Sequence, residues 1–396
     1  MERWRDIKLK IGIFAPEISQ NAGGSYTFVT RLLYEITAGK LESNHEFVIL
    51  TSTSVCIKGY ETTKLPKLNN GPLDKFFLVF LRFLRFFLGR PLPGNSARIA
   101  KRVNRHIRKI EIDVIWCLAP NSIIFEIPYI TTIWDLEHWN KPYFPEFHSE
   151  SDSWAIHEEC YESALVRATK IVVGTETGSN QINSIYGVPK ERILVNPFPF
   201  EPTLTINHER NIDLILYPAQ FWPHKNHLVL LKAILQLPET LKSRVKLVLT
   251  GSDQGNLSYI QNRVLELGLS RNVQILGFVS KDKLQELYAT ARITVFPSYF
   301  GPDNLPPLES LSYGTLTAVA EIPGAREYLG DSVMYFFPND SKSLSLIIQQ
   351  ALLDEKWGVE KKKITSDFFA DRTWKNYFRK VNAFLDEFSS IRENWE

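Results

Sequence analysis

Ile293-Thr294-Val295-Phe296 is a short apolar, β-branched run with no polar face, and turn-forming Gly301, Pro302, Asp303 and Asn304 follow it closely. Pro306-Pro307 then suit the first positions of a helix, where a missing N–H costs nothing. A strand apolar on both faces fits a parallel sheet covered by helices on either side. Glu309 falls one turn into the helix, at the C-terminal edge of that sheet, where open α/β folds bind ligands. A carboxylate there can accept hydrogen bonds from both hydroxyls of a ribose, and the N–H groups of the turn favour a phosphate beside it. A first-turn Glu that only complements the helix dipole is the alternative.

The same alternation runs through the chain. Leu9–Ala15, Glu46–Thr51, Ile112–Leu118, Tyr129–Trp134, Lys170–Gly174, Val245–Thr250 and Val273–Phe278 read as strands. Helical spacing appears at Phe28, Val29, Leu32, Leu33 and Ile36, and again at Leu228, Leu231, Ile234 and Leu235. This gives an α/β chain with parallel sheets. A length of 396 residues suits two domains. The aperiodic, Pro-rich Asn196–Pro202 reads as the linker between residues 1–200 and 207–370. Residues 371–396 carry Trp374, Tyr377, Phe378, Val381, Phe384, Leu385 and Phe388 on one helical face.

Three dispersed cysteines show neither a disulfide framework nor metal spacing, which points to a reducing, cytoplasmic setting. The charged start, Met1–Lys10, leads into too short an apolar run for a signal peptide, and no later run is long enough to span a bilayer. Residues 73–109 combine aromatics with Lys75, Arg82, Arg85, Arg98, Lys101, Arg102, Arg105, Arg108 and Lys109. Such a segment suits an anionic membrane surface, or else it is a domain helix with a solvated basic face. No nucleic-acid-binding fold accompanies the patch, so no nucleic acid partner is expected.

Further candidates follow strand ends. Gly23-Gly24 lies between a strand and a helix, as phosphate-cradling loops do, although a Gly pair is also ordinary turn punctuation. Lys225 stands at a helix start, where an ammonium and free N–H groups can hold a diphosphate; a surface lysine is the alternative. Asp135 and His138 follow the strand ending at Trp134 and are candidates for a base or for orienting a hydroxyl. A loop histidine without a role is the other reading of His138. No cluster has metal-ligand spacing, so no metal is assigned.

Pro297-Ser298, Leu305-Pro306-Pro307 and Glu309 resemble the nucleotide-sugar signature of the retaining glycosyltransferases of family 4, which have the two-domain GT-B fold. Lys225-Asn226 matches a second motif of that family. Gly301 stands where the family usually has its first Glu, and Gln220 where it has an Arg. Asp135 keeps the Asp of a His-Asp pair, with Trp134 before it. The resemblance implies transfer of a sugar from a nucleotide diphosphate sugar to a hydroxyl of a glycan, free or lipid-linked, with the anomeric configuration retained. The setting it implies is surface-polysaccharide synthesis at the inner face of the membrane. It assigns Lys225, Glu309, Asp135 and His138 to catalysis. Gly23, Gly24, Gln220, Lys225, Asp303, Asn304, Leu305 and Glu309 are assigned to the donor. The donor is a co-substrate, and no further cofactor is implied. It also implies that the terminal helix crosses back onto the first domain. Pro323-Gly324-Ala325-Arg326-Glu327 resembles a further segment of the family, with a helix-turn ion-pair residue as the alternative reading of Glu327, and no catalytic part is assigned to it. Rival readings are a nucleotide-sugar epimerase on the same fold and a non-catalytic subunit of a glycan-assembly complex.

Overall fold

Runs that are apolar on both faces form two wholly parallel sheets. The structure, a computed structural model, describes residues 8–15, 24–38, 42–51, 61–64, 95–120, 123–148, 154–202, 210–301, 303–354 and 357–394. The first sheet holds β1 (Lys10–Phe14), β2 (Glu46–Thr51), β3 (Glu61–Lys64), β4 (Val114–Cys117), β5 (Tyr129–Thr132), β6 (Lys170–Val173) and β7 (Ile193–Val195), in the order β3-β2-β1-β4-β5-β6-β7. The second holds β8 (Asn211–Pro218), β9 (Lys246–Thr250), β10 (Val273–Gly277), β11 (Ala291–Phe296), β12 (Leu316–Ala320) and β13 (Met334–Phe336), in the order β10-β9-β8-β11-β12-β13. Strands β4 and β11 are buried at every position. The α/β class expected from the alternation is the class observed.

Helices connect the strands. In the first half these are α1 (Gly24–Thr37), α2 (Asn95–Lys109), α3 (Glu137–Asn140), α4 (Trp154–Arg167) and α5 (Glu176–Tyr186). In the second half they are α6 (His227–Leu235), α7 (Glu239–Lys242), α8 (Leu257–Glu266), α9 (Lys281–Thr290), α10 (Leu305–Ser312), α11 (Ala325–Leu329), α12 (Ser341–Leu353) and α13 (Trp357–Phe368), before the terminal α14 (Trp374–Arg392). Strand order reverses at β1 in one sheet and at β8 in the other. A crevice opens at the C-terminal edge of a parallel sheet at such switch points.

The terminal helix returns to the first domain. Thr373 caps α14 by accepting from the Asn376 N–H. Phe378 meets Trp116 of β4 and Phe47 of β2, with ring centroids 6.1 and 5.8 Å apart. Asp386 pairs with His45 at 3.1 Å, and Arg392 pairs with Asp113. Just before the helix, Arg372 donates to the carbonyls of Phe198 and Tyr328, at 2.7 and 2.6 Å. The Pro-rich linker has no regular element but is not loose. Phe198 stacks near Phe28 at 4.5 Å and Phe200 near Phe369 at 4.6 Å. Single buried aromatics have no period, which is why patterning alone shows only a break there.

Residues 73–94 of the basic aromatic segment lie outside the described residues. In α2, Val103, Asn104 and Ile107 are buried, while Lys101, Arg102, Arg105, Arg108 and Lys109 are exposed. That part of the segment is therefore both core and basic surface. Among the described residues no helix is long and apolar enough to cross a membrane.

Candidate active site between the two sheets

The start of α1 and the loops leaving β5, β8 and β11 converge on a cavity of about 300 Å³. Gly24 and Ser25 line it from the start of α1, and Trp134 and Asp135 from the end of β5. Gln220, His224 and Lys225 face it from the loop after β8. Asp303, Asn304 and Leu305 complete it at the N-terminus of α10. Gly24 meets the Leu305 side chain at ordinary van der Waals distance, so the starts of α1 and α10 adjoin. Helix N-termini gathered in this way favour an anion. Gly23 lies outside the described residues.

Lys225 ends a short 3₁₀ turn, Pro223–Lys225, and α6 begins at His227 rather than directly at the lysine. Its backbone is clamped. The Tyr217 hydroxyl donates to the Lys225 carbonyl at 2.7 Å. Asn226 adopts the left-handed conformation, φ 55°, which asparagine tolerates better than most residues. Its carboxamide donates to the carbonyls of Pro297 and Pro338, at 3.1 and 2.8 Å. The lysine loop is thus pinned to the loop after β11. Burial pushes the Lys225 ammonium down to about 8, partly offset by the carboxylates of Asp135 and Glu146. The charged form prevails below that pH and is lost above it. Any reaction that depends on this ammonium is expected to lose kcat/KM, which follows the free enzyme, about tenfold per pH unit above 8. In Lys225→Arg that falling limb should leave the accessible range, which a pH–rate profile would record.

Gly301 has φ +83°, a conformation that disfavours a side chain, and the Asn304 carboxamide lies 3.2 Å from where a Cβ would sit. The backbone therefore accounts for glycine in place of the family's first Glu. Asn304 donates from its side chain to the Gly301 carbonyl, closing the turn. The Asp303 carboxyl is pushed up to about 8 by burial and then by the facing Asp135. Gln220 is tied to Ser252 at 3.2 Å and to Trp222 at 3.1 Å. Glu309 sits one turn into α10 as expected but does not line the cavity. Its carboxylate accepts from the Tyr288 hydroxyl at 3.0 Å, and burial raises its pKa.

On the first domain, Asp135 is exposed to the cleft, but His138 does not join it. The register of α3 turns His138 inward, where it is 1% exposed and bonded to Glu158 at 2.7 Å. Of these two candidates only Asp135 lines the cavity. The structure adds residues that spacing did not reveal. Glu146 accepts from both the backbone N–H and Nδ1 of His224, at 2.9 and 2.6 Å. Lys141 donates to the Tyr299 carbonyl at 2.5 Å. These bridges join positions 78 and 158 residues apart, and no local pattern signals them. Among the described residues no group of three or more His, Cys, Asp or Glu could hold a metal ion.

Residues 204–366 match the family model described as glycosyl transferases group 1. The match takes in every strand of the second domain's sheet, β8 to β13. That domain holds Lys225, Asp303 and Glu309, and the first domain supplies the facing wall of the cavity. An uncharacterized glycosyltransferase of Methanocaldococcus jannaschii is 26% identical over 274 residues, 61% of this chain and 69% of that protein. The O-antigen chain mannosyltransferase B of Escherichia coli is 27% identical over 226 residues, 54% of this chain and 59% of its own length. Among solved structures, WaaG, a glycosyltransferase involved in lipopolysaccharide biosynthesis, superposes with a TM-score of 0.68 at 15% identity, covering 94% of this chain and 99% of WaaG. Anabaena HepE in complex with UDP and glucose gives 0.65 at 15% identity, covering 96% and 100%. The fold is therefore GT-B, with the terminal helix crossing back as expected.

Proposed function

We propose that this protein transfers a hexose, mannose in the first instance, from a nucleotide diphosphate sugar to a glycan hydroxyl with retention of anomeric configuration. The observation that carries this reading is the cavity that sets Lys225 and the α10 N-terminus of the second domain against Asp135 of the first domain. Residues 1–200 then take the acceptor, residues 207–370 the donor, and residues 371–396 join the two. In this reading the diphosphate is held by Lys225, the α1 and α10 N-termini and the glycine loop, and the ribose reaches past the cavity-lining Pro306 to Glu309, one turn further along α10. Gln220, Asp303, Asn304 and Leu305 shape the wall around the diphosphate and sugar. The charge that develops on the leaving diphosphate meets preorganised donors in a half-enclosed site, which is where such donors act most strongly. Asp135 orients the acceptor hydroxyl, and the leaving phosphate takes its proton. No step requires a metal.

The relatives named as O-antigen mannosyltransferases support a polysaccharide acceptor; in this reading it is lipid-linked and presented at the inner face of the membrane. The exposed basic face of α2 supports peripheral contact with anionic lipid. Exchanging Lys101, Arg102 and Arg105 for Glu should weaken cosedimentation with phosphatidylserine vesicles, and the wild-type affinity should fall with salt. The test of the reaction is incubation with GDP-mannose and other nucleotide sugars, with and without oligosaccharide acceptor, followed by NMR of the product. An α-linked product from an α-linked donor supports the proposal. Turnover only without acceptor would make the protein an epimerase, and no turnover with any donor would leave it a binding subunit.

A further inference from the structure

Thr175 caps α5 by accepting from the Gly178 N–H at 3.0 Å. That leaves the first two N–H groups of the helix, those of Glu176 and Thr177, without an acceptor on their own domain. Glu327 of α11, in the other domain, takes both. One carboxylate oxygen accepts from Glu176 N–H; the other accepts from the N–H and hydroxyl of Thr177, each at 3.2 Å. The expected ion pair within the turn does not form, because Arg326 pairs with Glu321 at 2.6 Å instead. Just before the helix, the Asp303 carboxyl of the other domain lies against Gly174. It lies so close that a Cβ at position 174 would overlap it. Two successive backbone donors of one domain are thereby used by the Glu327 carboxylate of the other, with the Asp303 carboxyl packed beside them.

We infer that the β6–α5 turn is the closure receptor of this enzyme, and that Glu327 and Asp303 are positioning residues that set how far the cleft shuts. The inference rests on the transferase reading only for its kinetic arm. The turn leaves β6, which pairs with β5 at Thr132 and Val172, and β5 leads directly to Asp135. Seating the two carboxylates on the turn therefore fixes Asp135 against Lys225. Gly174 has a stated reason to be glycine, since only a residue without a Cβ admits the Asp303 carboxylate.

The test combines small-angle scattering of the ligand-free protein with steady-state kinetics. Glu327→Ala should raise the radius of gyration and lower kcat by about 10- to 100-fold, because small misplacements of reacting groups are that costly. The Kd for UDP or GDP should stay within about twofold, since neither residue 174 nor 327 lies in the donor site. Glu327→Gln, which keeps an acceptor oxygen, should recover most of kcat. Gly174→Ala should open the cleft in the same way, and Gly174→Ala with Asp303→Gly should be no worse than Asp303→Gly alone. Unchanged scattering and kcat in Glu327→Ala, or a double variant that loses the product of both single losses, would overturn the inference. The scattering arm needs no nucleotide, so it decides the latch even where the transferase reading fails.

Discussion

Lys225→Ala should lower kcat/KM for the sugar donor by about 10²–10³-fold, the usual cost of removing one preorganised donor from a developing anion. The position leaves little room for another outcome. Its carbonyl is held by Tyr217 and the next residue by two carbonyls of neighbouring loops, so no other cation can slide into its place. Gln220 stands where the family has an arginine, and its amide is engaged with Ser252 and Trp222. The diphosphate therefore depends more on this one ammonium than in relatives with a cation pair. The fold should not suffer. Burial already disfavours the charge, so removing it relieves a desolvation cost, and the melting temperature should hold or rise. Loss of activity with an intact melting curve would separate a chemical role from a structural one.

Glu309→Gln should weaken donor binding by about 10- to 100-fold, the loss expected when a carboxylate that accepts two hydrogen bonds becomes an amide that accepts fewer well-placed ones. The effect should appear in KM and in the Kd for the nucleoside diphosphate alike, because the ribose is bound in ground and transition states alike. Gln keeps an oxygen for the Tyr288 hydroxyl, so the packing of α9 against α10 is preserved. A donor lacking the 2′-hydroxyl should lose much less on this substitution, since one of the two bonds is already absent.

The fold was legible in the sequence because burial on both strand faces leaves a period-free apolar signature, as in β4 and β11, and turn residues mark where each strand ends. The wall of the cavity on the second domain was legible for a related reason. Lys225, Asp303 and Leu305 sit at fixed offsets from strand ends, and those offsets are short-range. The facing wall on the first domain was not. His138 and Asp135 are three residues apart, yet the turn of α3 sends one inward to Glu158 and leaves the other at the cleft. Contacts between domains were the least legible. Glu146 with His224 and Glu327 with the α5 N-terminus depend on how two separately folded sheets meet, and that carries no local periodicity.

A thermal-shift titration with UDP, GDP, ADP and dTDP, run on the wild type, Lys225→Ala and Glu309→Gln, probes the nucleotide site most directly. At least one nucleotide should raise the wild-type melting temperature, in keeping with about 2.7 kcal/mol of stabilisation at a hundredfold excess over Kd. The shift should vanish in Lys225→Ala and shrink in Glu309→Gln. A wild type indifferent to all four, or variants that respond as strongly as it does, would contradict the account.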